Sequence, residues 1–202
     1  FTPLNVAVII ACCIPMGITG AMLSRGAKAP RAIADAPAFS LTNQRGETVT
    51  KESLKGQVWV GSFLFTHCPD VCPRTLQRLK GVTGWLAERR PEHQGKVRFV
   101  GISLDHKGDT AERAQSFLTK QGPDSKQWDY LLSKESLHPL MRDGFMLGVR
   151  EGQNGLAAAH ADRVVLVGKA GRIRGYYDLA ANEGIAQLNG HIDLLVKEKI
   201  TP

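Results

Sequence analysis

Two kinds of apolar pattern alternate along most of the chain. Gln57 to Thr66 is almost unbroken apolar or β-prone sequence (Val58, Trp59, Val60, Phe63, Leu64, Phe65), which predicts a strand buried on both faces. Pro73 to Arg90 instead spaces Leu76, Leu79, Val82 and Leu86 at helical intervals. A second buried strand is expected over Val97 to Leu104. Asp109 and Glu112 then make a capping-box-like start for a helix that buries Ala114, Phe117 and Leu118 and ends near Gly122. Trp128 to Leu132 reads as a short strand and Leu137 to Leu147 as a helix, with Met141 and Met146 in its core face beside Leu137 and Phe145. Arg163 to Val167 and Arg172 to Tyr177 are strands joined by Gly168-Lys169-Ala170-Gly171, a hairpin signal. Asn182 to Val196 closes the chain as a helix with Ile185, Leu188, Ile192 and Leu195 on one face.

The order is β-α-β-α-β-α-β-β-α, which predicts an α/β fold with a sheet flanked by helices, made mixed by the late hairpin. A loop after the first main strand that opens onto a helix is the thioredoxin-like arrangement. Ligands in such sheets gather at the carboxyl ends of the strands.

Before this region the pattern is different. Pro3 to Leu23 carries no charge and is just long enough for a membrane-spanning helix, which needs roughly 20 apolar residues. The expected organisation is a transmembrane anchor over 1–24, a linker over 25–36 rich in Gly, Ala, Pro and Ser, and a folded domain over 37–202. A cleaved signal peptide is the competing reading, and Ile9-Ile10-Ala11-Cys12 resembles a lipobox that would lipidate Cys12. The preferred reading keeps the anchor, with Cys12 and Cys13 as small apolar residues in lipid. Arg25, Lys28 and Arg31 follow the span and would draw that flank toward the cytoplasm. A domain on the periplasmic or intermembrane-space side therefore requires still more Lys or Arg before Phe1.

Composition adds little to the fold but narrows the partners. The 202 residues are 43% hydrophobic with a formal charge of +7, which favours acidic partners or anionic lipid surfaces. The basic residues are scattered from Arg25 to Lys199, with no dense run or aromatic platform, so nucleic-acid binding is not expected. Four cysteines in two pairs are too few for a disulfide scaffold, which leaves a chemical role for one pair.

That role points to Phe65-Thr66-His67-Cys68-Pro69-Asp70-Val71-Cys72-Pro73, where Cys68 and Cys72 sit four residues apart as a strand gives way to a helix. Such spacing puts both thiols on one helix face, and a helix N-terminus favours the thiolate that binds metals and attacks disulfides. Pro73 suits a first helical turn. The motif resembles the copper motif of the Sco/SenC family, and the likeness extends over most of residues 37–196. Ile102-Ser103-Leu104-Asp105 followed by Asp109-Thr110 is similar to the family's second-strand signature, with His106 where the family has a proline. The resemblance implies a third ligand, a histidine just before the penultimate strand, and His160 ahead of Arg163-Val164-Val165-Leu166-Val167 occupies that place. Its neighbours, Ala157-Ala158-Ala159 and Ala161, replace residues that are often polar in the family. Two thiolates and an imidazole suit copper as Cu(I) or Cu(II), whereas zinc normally takes a fourth protein ligand.

Each candidate has a plainer reading: unreactive core thiols for the cysteines, and a backbone-bonded loop residue for His160. His67 is expected on the opposite face in an orienting role. His93, His106, His138 and His191 read as surface or capping residues, and Asp70 either tunes the thiols or caps the following helix.

The resemblance implies a copper metallochaperone that serves the copper-receiving subunit of a membrane respiratory oxidase, the copper centre of cytochrome c oxidase. A thiol–disulfide oxidoreductase is the alternative, since i,i+4 cysteines come near the roughly 6.8 Å upper Cα separation of a disulfide. Against it, residues 156–162 lack the proline that oxidoreductases of this fold place opposite their cysteines. A resident accessory subunit of a respiratory complex is the third reading.

Overall fold

The computed structural model describes residues 28–121, 127–147 and 163–199. The expected anchor over 1–24 and His160 lie outside them. Among the described residues no helix is long and apolar enough to cross a membrane.

In chain order the elements are β1 (Ala34–Asp35), β2 (Ser40–Asn43), β3 (Thr48–Thr50), β4 (Val58–Leu64), α1 (Val71–Arg89), β5 (Val97–Ser103), α2 (Ala111–Gln121), β6 (Trp128–Leu132), β7 (Arg163–Val167), β8 (Arg172–Asp178) and α3 (Asn182–Lys197). The strands form one sheet in the order β1-β8-β7-β4-β5-β6-β2-β3. Neighbours β4, β5 and β6 run parallel, and the remaining pairs are antiparallel. The expected mixed sheet is what the chain forms.

β4 lies near the middle and is buried along its whole length, as its unbroken apolar run requires. Its side chains alternate between two cores. Val58, Val60 and Leu64 face the layer built by Leu76, Leu79 and Val82 of α1, Ala114, Phe117 and Leu118 of α2, and Leu188, Ile192 and Leu195 of α3. The three described α-helices therefore cover one face. Each fully buried leucine there contributes about 1.5–3 kcal/mol. Trp59 and Phe63 face the other core, where Phe145 meets both rings edge-on at centroid distances of 6.0 and 5.4 Å. Gly61 lets β4 and β7 approach on that face: a Cβ there would lie 2.8 Å from Val165 Cγ1 and 2.9 Å from the Trp59 ring.

Several elements differ from expectation. Ala34–Asp35, inside the expected linker, pairs with β8, and the Ile33 and Ala36 amides donate to the Ile173 and Gly171 carbonyls. β2 and β3 are short, carry no apolar run and fall outside the expected strands; the Gln44 side chain completes the pairing of β6 by bonding Trp128 O and Tyr130 N. The helix expected over Leu137 to Leu147 is a single wide turn, Leu140–Gly144, closed by Phe145 N to Leu140 O at 2.9 Å and Leu147 N to Met141 O at 3.1 Å. That extra winding shifts the periodicity. Phe145 and Leu147 stay in the core, while Met146 takes a left-handed φ of 54° and is 49% exposed. His93 is likewise not a surface residue. It is buried, with Nε2 2.8 Å from Asp193 Oδ1 on α3.

Candidate metal centre

β4 ends at Leu64, and the chain turns through Phe65, whose carbonyl accepts the Cys68 amide at 3.2 Å. α1 begins three residues beyond Cys68. The Cys68 sulfur accepts the Cys72 N–H at 3.3 Å, so the sulfur does at this helix end what an N-cap oxygen ordinarily does. Asp70, at the N-cap position, makes no side-chain cap bond and pairs instead with Arg74 at 3.1 Å. The Asp70 carboxylate thus makes no cap bond; its residue meets the thiols only through the backbone N–H, which bonds Cys68.

Both cysteines are free thiols, but their surroundings differ. Cys68 is half-buried, and Cys72 is wholly buried against the first core. The hydrogen bond from the Cys72 thiol holds the Cys68 thiol down to about 5, against the opposing effect of partial burial and with help from the N–H groups of Cys72, Asp70 and Val71. The same contact pushes the Cys72 thiol strongly up, with burial and the charges of Cys68 and Asp109 acting in the same direction. Cys68 is thus a thiolate at neutral pH, held beside a thiol that gives up its proton only to a strong competitor. A soft cation is such a competitor, because thiolate ligation takes the proton's place. The paired sulfurs fit copper in that sense.

Beneath the loop sits a carboxylate that the sequence pattern assigned to a helix cap. Asp109 Oδ1 accepts the Thr66 amide at 2.9 Å and the Thr66 hydroxyl at 2.6 Å. Its Oδ2 accepts Ser103 Oγ at 2.6 Å and Tyr130 Oη at 2.8 Å. The capping of α2 falls to Thr110, whose hydroxyl accepts the Arg113 amide at 3.3 Å. Asp109 therefore ties the ends of β4 and β5 and the middle of β6 to the residue two before Cys68. Burial, then the Asp109 charge and hydrogen bond, push the Tyr130 phenol well above its ordinary range, so it stays a donor. The one available sequence signal was the position of Asp109, just beyond the end of a buried strand and ahead of a residue able to cap.

His67 is exposed, with Nδ1 3.7 Å from Asp105 Oδ2 and 3.4 Å from Thr66 Oγ1. Its ring is thus tied to the β5 side of the site, and it lines the same groove as Cys68 rather than an opposite face, because β4 ends at Leu64 and strand alternation does not reach residue 67. The structure brings Cys68 and Cys72 together; His160 lies outside the described residues.

The SCO1/SenC family model matches residues 27–192. The SCO1 protein homolog of Bacillus subtilis (strain 168) is 26% identical over 146 residues, covering 71% of this chain and 74% of that protein. Among solved structures, a SCO1/SenC family lipoprotein from Bacillus anthracis str. Ames has a TM-score of 0.71 at 27% identity, covering 80% of this chain and 95% of its own. Copper-bound ScoI of Bradyrhizobium japonicum has a TM-score of 0.63 at 25% identity, covering 78% of this chain and 99% of its own. With a family model spanning nearly the whole folded domain, and solved members that share its thioredoxin-like architecture, the chain belongs to the SCO1/SenC family.

Proposed function

We propose that this protein is a membrane-anchored copper carrier that holds one copper ion on Cys68, Cys72 and His160 and hands it to the copper-receiving subunit of a membrane respiratory oxidase. The observation that carries the reading is the unequal thiol pair. One sulfur is a half-exposed thiolate and the other a buried thiol 0% exposed, within one turn of each other at a helix start. The exposed sulfur suits the first and last contact in a ligand exchange, and the buried one suits retention. Support for His160 comes from topology. Arg163 starts β7 three residues later, and the Gly61↔Val165 register sets that start beside the end of β4 that leads into Cys68. A copper-bound relative of the same fold supports the choice of metal. The anchor over 1–24 and the domain beyond it, on the periplasmic or intermembrane-space side, belong to the same proposal. So does the oxidase as recipient, which follows from the family likeness.

The test is copper bound per reduced full chain, beside Cys68→Ser, Cys72→Ser and His160→Ala. One equivalent in the wild type, lost or weakened in all three variants, is the expected result. No retained copper, with Cys68 and Cys72 cycling as a disulfide instead, would favour a thiol–disulfide oxidoreductase. The same asymmetric pair gives that second reading its support, because a low-pKa exposed thiol beside a buried one is suited to attack and resolution.

A further inference from the structure

The cysteine end of the domain carries an open groove of about 420 Å³ between the start of α1 and one face of α2. His67 and Cys68 form one end, and Arg113, Ser116, Phe117 and Lys120 run along the side. These α2 positions recur at the spacing that places side chains on one helix face. Phe117 is buried as the floor, edge-on to Tyr130 with ring centroids 6.3 Å apart. Arg113, Ser116 and Lys120 are exposed.

The groove wall has unbalanced charge. Arg113 gives one nitrogen to the Gly108 carbonyl at 2.6 Å. Among the described residues, no carboxylate lies within ion-pair distance of Arg113 or Lys120. The acids at this end are engaged elsewhere. Asp70 pairs with Arg74, Asp105 accepts the Gly108 amide at 2.8 Å, and Asp109 holds Thr66, Ser103 and Tyr130. Two cations without counter-charges among the described residues, beside an apolar floor that leads to an accessible sulfur, match a carboxylate-bearing chain.

We propose that this groove docks an extended acidic segment of the protein that exchanges copper with Cys68, Arg113 and Lys120 taking its carboxylates and Phe117 supporting its backbone. The proposal rests on the copper-carrier reading and names the surface through which the recipient is recognised. The seven residue steps of helix from Arg113 to Lys120 span about 10 Å, the length of about three residues of extended chain. The two acidic side chains that meet Arg113 and Lys120 therefore lie about three residues apart in the recipient's segment. Complementary charge of this kind raises the encounter rate and fixes register.

The test uses the reduced full chain in detergent and a fluorescein-labelled Gly-Asp-Glu-Asp-Glu-Gly peptide, with its Asn/Gln counterpart as control, followed by anisotropy. Copper per chain is measured on the same samples. The acidic peptide binds about tenfold or more tightly than its amide counterpart, and Lys120→Glu removes that preference. Ser116→Trp fills the groove without changing charge and weakens binding as well. Lys55→Glu, at the far end of β4, makes the same change in net charge and leaves binding intact. Equal losses from Lys55→Glu and Lys120→Glu, or no loss from Ser116→Trp, overturn the groove, because the peptide then follows only the overall charge. Copper per chain is unchanged by Lys120→Glu. A wild type that retains no copper yet binds the peptide in the groove contradicts the carrier reading alone.

Discussion

Cys68 and Cys72 lie four positions apart, and one hydrogen bond between their sulfurs sets their chemistry apart. The lowered thiol is reactive above about pH 5, so alkylation of the metal-free, reduced chain by iodoacetamide labels Cys68 with a midpoint near 5 and spares Cys72. Cys72→Ala removes the largest of the lowering influences and moves the Cys68 midpoint up toward the ordinary thiol value of about 8.5. Equal labelling of both cysteines, or an unmoved midpoint in the variant, would count against the pairing. Asp109 acts on the same loop from below. Asp109→Ala leaves the Thr66 amide, the Ser103 and Thr66 hydroxyls and the Tyr130 phenol without their acceptor. Each buried donor left unsatisfied costs about 1–3 kcal/mol. Loss of a residue that orients metal-binding groups weakens retention about 10–100-fold. A competition titration with a Cu(I) chelator measures this, and Asp109→Ala retaining copper as tightly as wild type would remove Asp109 from the site.

At the scale of elements, β6 shows what a buried charge does for the sheet. Asp129 is fully buried, held by Arg98, by Arg45 at 2.6 Å and by Asn43 at 2.9 Å. Burial pushes its carboxyl up, but the bonds from Arg98 and Asn43 and the charge of Arg98 outweigh that and leave it below the usual range. A carboxyl lowered by folding stabilises above its unfolded value of about 3.9 and loses that contribution as pH falls through the folded one. Asp129→Ala therefore costs about 3 kcal/mol at pH 7. In urea unfolding the gap from wild type narrows at pH 3, and a gap independent of pH contradicts the assignment. The elements that were legible in the sequence are those whose cause is local. The apolar run of β4, the helical spacing of Leu76 to Leu86, and the Gly168–Gly171 turn all carry their own signal. What was not legible depends on distant partners. β1 exists because β8 offers an edge, and Gln44 is buried because β6 needs its amide. The wide turn before Phe145 breaks the helical spacing that would place Met146 in the core.

Across the whole molecule, sheet order does what sequence spacing alone could not. The cysteine loop leaves the carboxyl end of β4, antiparallel β7 begins beside that end, and parallel β5 ends there in the segment that supplies Asp105 and Asp109. The paired cysteines were legible because strand, motif and helix are contiguous in the chain. The Asp109 network and the basic groove were not, because α2 and β6 reach the loop only through the fold. Copper on Cys68, Cys72 and His160 is the claim on which the proposed function turns, and X-ray absorption of the copper-loaded full chain reads its ligands directly. The expected copper environment has two sulfurs and one imidazole nitrogen, loses one sulfur in Cys72→Ser, and loses the imidazole in His160→Ala. A spectrum with a single sulfur in the wild type, or one that His160→Ala leaves unchanged, would contradict that ligand set.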